Sequence, residues 1–183
     1  MMKLSIRTNE IGLLATILKI DSRFTMNKRF LSILVAAFLF LVPIQPSMAA
    51  MDYAKQVLIE SDFSNRDLTG VTFNLANLLK ADLSGSDLQG ASLFGAKLEG
   101  ADLSNTNLRD ATLDSAILEG TDLSNAVLED AFAFNARFKD VKITGADFTN
   151  VPIRSDVIDS LCLVAEGTNP ITGRETRDSL GCV

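Results

Sequence analysis

Cys162 and Cys182 are the only thiols in a 183-residue chain that has no histidine and no tryptophan. Nucleophilic catalysis needs a base beside the nucleophile, and structural zinc sites draw on histidine or on sets of cysteines. Neither set can be assembled here. Serines recur at intervals of twenty at Ser64, Ser84, Ser104 and Ser124, but no base, nucleophile elbow or phosphate loop accompanies them. They read as hydroxyls on a strand surface, and the chain as a non-enzyme with no cofactor. Carboxylates offer the other chemistry. Asp62, Asp82, Asp102 and Asp122 share the same twenty-residue interval, with Asp67 and Asp87 in a neighbouring series. Stacked at strand spacing, such a column offers loose docking to a divalent cation or a basic protein. Like charges about 4.8 Å apart in water repel by about 1 kcal/mol per pair, so the simpler reading is a solvated, solubilising face with no metal set.

The elements that position these residues follow from a five-residue period, which belongs to neither a helix nor an alternating strand. From Ala81 to Asp130 the chain reads ADLSG SDLQG ASLFG AKLEG ADLSN TNLRD ATLDS AILEG TDLSN AVLED, and the frame holds from Ser61 to Ser155. The central residue is large and apolar in every five except that of Ala133, and the first is usually small. Alternating side-chain directions put the first and third residues inside and the second and fourth outside. The fifth is often Gly, Asn or Asp, residues that tolerate tight turning. Each five is thus one side and one corner. Twenty-residue echoes, SDFSN at Ser61, ADLSG at Ala81, ADLSN at Ala101 and TDLSN at Thr121, write one face repeatedly. Ala133 predicts a void or distortion in its core column, with the segment 131–135 departing from ideal geometry and Phe132 or Phe134 bent inward.

The pattern A(D/N)LXX resembles the pentapeptide-repeat family. That resemblance implies an all-β repeat solenoid, a right-handed quadrilateral β-helix with four fives per coil, over 61–155. Solenoid ends need covering. Residues 50–60 are helix-compatible, with Asp52 as N-cap and Tyr53 and Val57 four apart, and predict a short N-terminal helical cap. Residues 156–183 predict a two-helix C-terminal cap. Val157, Ile158, Leu161 and Val164 share one face, Gly167 ends the turn, and Thr172 with Glu175 has capping-box spacing before a second helix towards Leu180.

The N-terminus has a different character. Lys28-Arg29, an apolar run from Phe30 to Val42, Pro43 and Pro46, and the small residues Ser47 and Ala49 have the anatomy of a secretory signal over 26–49. The run is about 13 residues where a span needs roughly 20, which favours cleavage and leaves no stable membrane anchor. Residues 1–25 read as an extension or a misplaced start upstream of Met26. Six of the 17 basic residues and two of the 23 acidic ones precede Ala50, so the remainder carries a net charge of −10. Such a surface repels phosphate backbones, which argues against nucleic acid as a partner. In an oxidising compartment the two cysteines predict a disulfide closing the cap, with a redox switch as the alternative reading.

The segment VPIRSDVIDSLCLVAEGTNPITGRETRDSLGC from Val151 to Cys182 is similar to the tails of pentapeptide-repeat proteins of plant thylakoid lumens and cyanobacteria. This implies export to a thylakoid lumen or periplasm, and the bacterial style of the leader favours a cyanobacterium. Phe94 and Phe134 fall at outward fourth positions of one face, with Phe132 adjoining, and mark a candidate partner-binding patch; Ile117 and Val127 extend it around the corners. The function these features predict is a lumenal or periplasmic interaction or scaffold module for an unidentified protein partner, associated with photosynthetic membranes. The alternative is an acidic DNA mimic binding a topoisomerase such as gyrase, which export opposes.

Overall fold

The computed structural model describes residues 51–183. The signal read over 26–49 and the segment 1–25 lie outside the described residues. Parallel bridges join second-position residues twenty apart in an unbroken series, from Asp52 to Thr72 through Val127 to Asp147. One coil is therefore four fives, and the solenoid has four faces. We call face A the side of Asp62, Asp82, Asp102 and Asp122; face B follows with Asp67 and Asp87, face C with Thr72 and Ser92, and face D with Asn77 and Lys97.

Most fives make the same backbone bonds. The third residue's N–H donates down to the second carbonyl of the next coil, as Leu83 does to Asp102 at 2.8 Å. The fifth does the same to a fourth carbonyl, as Gly85 does to Ser104 at 2.9 Å. The corner closes when the next first residue donates to the preceding third carbonyl, Ala91 to Leu88 at 2.9 Å. That turn carries positive φ at its third residue, the fifth of the repeat, as type II turns do. Gly occupies many of these corners, but Lys55, Leu75, Lys80 and Ser115 also adopt φ of 54° to 62°. Inside, the small first residues and the large third residues are buried together. Leu83, Leu103, Leu123 and Ile143 form one such column, and each buried leucine stabilises by about 1.5–3 kcal/mol.

The N-terminal helix expected over 50–60 is absent among the described residues: Met51–Glu60 are two further fives of the solenoid. Tyr53 and Leu58 fill the central slots, Asp52 and Val57 form parallel bridges with the next coil, and Lys55 and Glu60 take the corner conformation. Asp52 caps no helix, and its Oδ1 accepts the Ala54 N–H at 2.8 Å. The i,i+4 reading of Tyr53 and Val57 failed because apolar residues at third positions in register with a neighbouring coil gain more burial than a short isolated helix offers. Tyr53 stacks on Phe73 at 5.1 Å, and Phe63 meets both rings edge-on.

At the other end, α1 spans Ser155–Cys162 and α2 spans Thr176–Leu180. Helix α1 stops short of Val164, which was expected on its apolar face and is exposed, and Arg154 pairs with Asp156 at 2.7 Å at its start. Helix α2 begins after Glu175, which makes no side-chain cap bond, so the Thr172–Glu175 capping box does not form. Thr172 instead serves the preceding turn, its hydroxyl accepting the Arg174 N–H at 3.4 Å. Among the described residues no helix is long and apolar enough to cross a membrane.

Neither Phe132 nor Phe134 bends inward beside Ala133; both are about half exposed. The same coil contributes Phe138 and Phe148, whose rings meet edge-on at 6.2 Å, and Ile153, Val157 and Leu161 of the cap pack on this end of the core. The departure from ideal geometry is at the corner. Asn135 is the one fifth-position residue from Lys55 to Asn150 without positive φ. Its N–H donates to Asp114 Oδ1 at 2.9 Å.

Candidate functional site

The second-position carboxylates are placed by local chemistry. An outward Asp or Asn two residues before a corner can accept the N–H of the fourth residue, an Asx turn that fixes the chain as it enters the corner. Asp62, Asp82, Asp102 and Asp122 do this through Oδ1 with Ser64, Ser84, Ser104 and Ser124, at 2.8 to 2.9 Å. The Ser64 and Ser84 hydroxyls donate to the same oxygens at 2.7 and 2.6 Å. The serine column is therefore bound to the aspartate column, an arrangement that shapes turns and offers no activated nucleophile. Hydrogen bonds from the Ser64 amide and hydroxyl hold the Asp62 carboxyl below the ordinary range. Burial raises the Asp122 pKa, but the bonds from Ser124 and Lys142 outweigh it and lower it overall. Lys142 Nζ, at 3.1 Å from Asp122, closes the column at its fifth row. Among the described residues no three acidic or thiol side chains converge as a metal set.

Face C is different. Its fourth positions read Asn74, Phe94, Asp114 and Phe134 in successive coils. Asn74 Oδ1 accepts the Phe94 N–H at 3.1 Å and the Ser92 hydroxyl at 2.6 Å, so polar rows brace the backbone of the aromatic rows. Asp114 does the same below, through the Asn135 N–H and its Nδ2 at 3.1 Å. Phe94 is 43% exposed, Phe132 50% and Phe134 48%. Two coils separate Phe94 from Phe134, about 9.6 Å at strand spacing. The structure thus places all three sequence-selected phenylalanines on one face, on a rigid lattice. Leu75, 53% exposed at the corner of the same face, was missed by the sequence reading. Its signal was a leucine at a fifth position where Gly, Asn or Asp is usual. A Cβ on Gly95 would meet its Cδ2 at 2.7 Å, so Leu75 lies over the residue that follows Phe94. Val127 does not extend this surface, because it is fully buried on face B, and Ile117 on face D is half-buried.

The cap is held by groups that sequence periodicity does not mark. Asn169 is 1% exposed, and its Nδ2 donates to Gly145 O at 2.8 Å and to Asn125 O and Ala126 O at 3.2 Å. Its Oδ1 accepts the N–H groups of Ile171 and Thr172. Arg174 reaches back over face B to Glu129 at 2.8 Å and to the buried Asp147 at 3.0 Å, while Arg109 holds Glu129 from the other side at 3.2 Å. The bonds from Arg174 and then Arg109 depress the Glu129 pKa. For Asp147, burial raises the pKa, and the bonds from Thr149, Thr172 and Arg174 more than reverse it. Cys162 and Cys182 are joined in a disulfide with Cα atoms 5.7 Å apart, tying α1 to the chain after α2.

The pattern of pentapeptide repeats matches in eight copies over residues 57–93 and 91–130. Thylakoid lumenal 15 kDa protein 1, chloroplastic, of Arabidopsis thaliana is 56% identical over 48 residues, which is 26% of this chain and 21% of that protein. Thylakoid lumenal protein TL20.3, chloroplastic, of the same plant is 54% identical over 41 residues, 22% of this chain and 15% of its own length. These matches span less than a quarter of either relative. A crystal structure of a pentapeptide repeat protein from the Arabidopsis thaliana thylakoid lumen superposes with a TM-score of 0.57 at 43% identity, covering 73% of this chain and 86% of that one. With its twenty-residue coils, Asx-turn second positions and buried Leu or Phe centres, this chain belongs to the pentapeptide-repeat family, whose fold is the right-handed quadrilateral β-helix.

Proposed function

We propose that this protein is a non-enzymatic interaction module of a thylakoid lumen that docks a protein partner on face C. The observation that carries the reading is the exposure of Phe94, Phe132 and Phe134 on one rigid side, where the repeat needs no apolar residue for its own stability. The lumenal setting rests on the relatives. Aromatic side chains on a fixed backbone offer large contact area at low cost in conformational entropy, which is the character of interface anchors. Asp114 between two of them gives the partner a polar mark to match.

The test compares tagged wild type with the Phe94→Asp, Phe134→Asp double variant in the native host. Both positions face solvent, so the variant keeps the wild-type melting temperature. A lumenal protein recovered with wild type and lost from the equally folded variant supports the proposal. Equal recovery by both proteins refutes face C as the docking side. Recovery of a topoisomerase would replace this reading with DNA mimicry.

A further inference from the structure

The disulfide that closes the cap is reachable from solvent in the folded chain. Cys162 and Cys182 are only partly buried, and they border an open groove whose walls include Leu163, Arg177 and Val183. Leu163 and Val183 are among the most exposed apolar residues described. An incoming thiolate needs a clear line to one sulfur, and nothing of the solenoid must move to provide it. Arg177 borders the bridge: its Nη1 donates to Cys162 O at 2.8 Å, and its own carbonyl accepts the Cys182 N–H at 3.0 Å.

What the bridge restrains is marginal by itself. Helix α2 has five residues, too few to persist without tertiary support. It is also part of the solenoid's closure, since Ser179 Oγ accepts the Phe148 N–H at 3.0 Å, a donor that in every earlier coil would meet the next coil's carbonyl. Leu180 is buried against the core, and Thr176 donates to Gly167 O at 3.0 Å. Freed of the bridge, this segment is held by those contacts, by the Arg177 bond to Cys162 O and by the anchors of Asn169 and Arg174 just before it, none of which needs the sulfur–sulfur bond.

We propose that Cys162–Cys182 is a thiol–disulfide exchange site, reduced in the folded protein by a dithiol, and that its redox state sets whether α2 covers the end of the solenoid. The dithiol's thiolate attacks one cysteine sulfur to form a mixed disulfide and releases the other cysteine as a thiolate. The second thiol of the reductant then attacks the mixed disulfide, breaks it, and leaves as part of a new disulfide. Two electrons and two protons pass from the dithiol to Cys162 and Cys182, which end as thiols. Reduction uncovers the Phe148 N–H and its neighbours, an open edge of the kind that recruits another strand. This device is independent of face C.

The chain from residue 50 onward, incubated with dithiothreitol without denaturant, tests the proposal by alkylation mass and amide exchange. Reduction should go to completion at a rate unchanged by urea below the unfolding transition. The Phe148 amide should then exchange faster by about tenfold or more, with Leu103 in the middle of the solenoid unaltered. A rate that climbs with urea in step with global unfolding would overturn the proposal, as would a Phe148 amide that stays protected after reduction. The Cys162→Ser, Cys182→Ser double variant provides a second readout. It should reproduce the reduced exchange pattern without reductant; either the oxidised pattern or an unfolded solenoid in plain buffer refutes the switch.

Discussion

Replacing Asn169 tests how the solenoid's end is held. Asn169→Ala removes a donor from Gly145 O, Asn125 O and Ala126 O and an acceptor from the Ile171 and Thr172 N–H groups. These losses are unequal. Ala126 O keeps the Asp147 N–H at 2.9 Å, and the turn at Ile171 is exposed enough for water to replace the lost acceptor. The dominant cost is the buried Gly145 carbonyl left without Nδ2, about 1–3 kcal/mol, and the two re-solvated amides add about 0.5–1.5 kcal/mol each at most. The sum predicts a loss of about 2–6 kcal/mol. Asn169→Asp preserves shape and acceptors but turns an oxygen towards three carbonyls, so it should be worse than alanine despite being nearly isosteric. Urea unfolding followed by circular dichroism gives the midpoints, and amide exchange at Gly145 reports the cap alone. An alanine variant within about 0.5 kcal/mol of wild type, or an aspartate variant as stable as wild type, would refute the assignment of Asn169 as the keystone of the cap.

Two further outcomes follow from the same end of the molecule. Gly167 has φ of +80°, and a Cβ there would lie 3.0 Å from Gly145 N and 3.2 Å from Thr144 Cγ2, whereas a Cβ on Gly90, with φ of +65°, meets nothing within 4 Å. Gly90→Ala should therefore cost about 1–2 kcal/mol of backbone strain and Gly167→Ala clearly more, which thermal melts would show; equal melting temperatures would refute the contact. Acid should loosen the cap before the solenoid. Asp147 and Glu129 have folded pKa values below their ordinary 3.8 and 4.5, so the stability they contribute is present above those values and is lost as pH falls through the lower folded ones. Arg174→Met removes a cause of both depressions, and the acid midpoint of the cap, read by amide exchange at Gly145, should move to higher pH; an unmoved midpoint would refute the coupling.

The solenoid was legible because its period is a direct image of its geometry: one residue in, one out, one in, then a corner. The same rule carried the phenylalanines, since an aromatic at an outward slot is visible as an exception. Reading failed where the rule has no opinion. Tyr53 and Val57 have helical spacing, while Tyr53 and Leu58 fit the five-residue frame, and only the neighbouring coil, with Phe73 waiting for Tyr53, decides between them. Val127 sits at an outward slot yet is fully buried, which the alternation rule does not foresee. Asn169 and Arg174 carried no signal as anchors because the partners that tie them to the stack are 24 to 45 residues away and are backbone carbonyls or single carboxylates.

The division of labour among the five slots also explains how one face can acquire a partner without loss of fold. First and third residues form the core, the fifth makes the corner, and the second supplies the Asx turn. The fourth contributes mainly backbone: its carbonyl accepts a fifth-position N–H of the coil before, and its N–H donates to an Asx oxygen where one is present. The fourth side chain makes neither bond, so Phe94 costs the solenoid little: its N–H donates to Asn74 Oδ1 and its carbonyl accepts the Leu75 N–H. Phe132 is the exception. It occupies a second position, and its side chain cannot accept the Phe134 N–H that an Asp or Asn would take. In the same five, Ser115 N–H makes no bond to Phe134 O, and Asn135 leaves the corner conformation. The aromatic at 132 stands where the coils above carry Thr72, Ser92 and Thr112, and it coincides with the one irregular corner on face C, where backbone regularity gives way to exposed apolar surface.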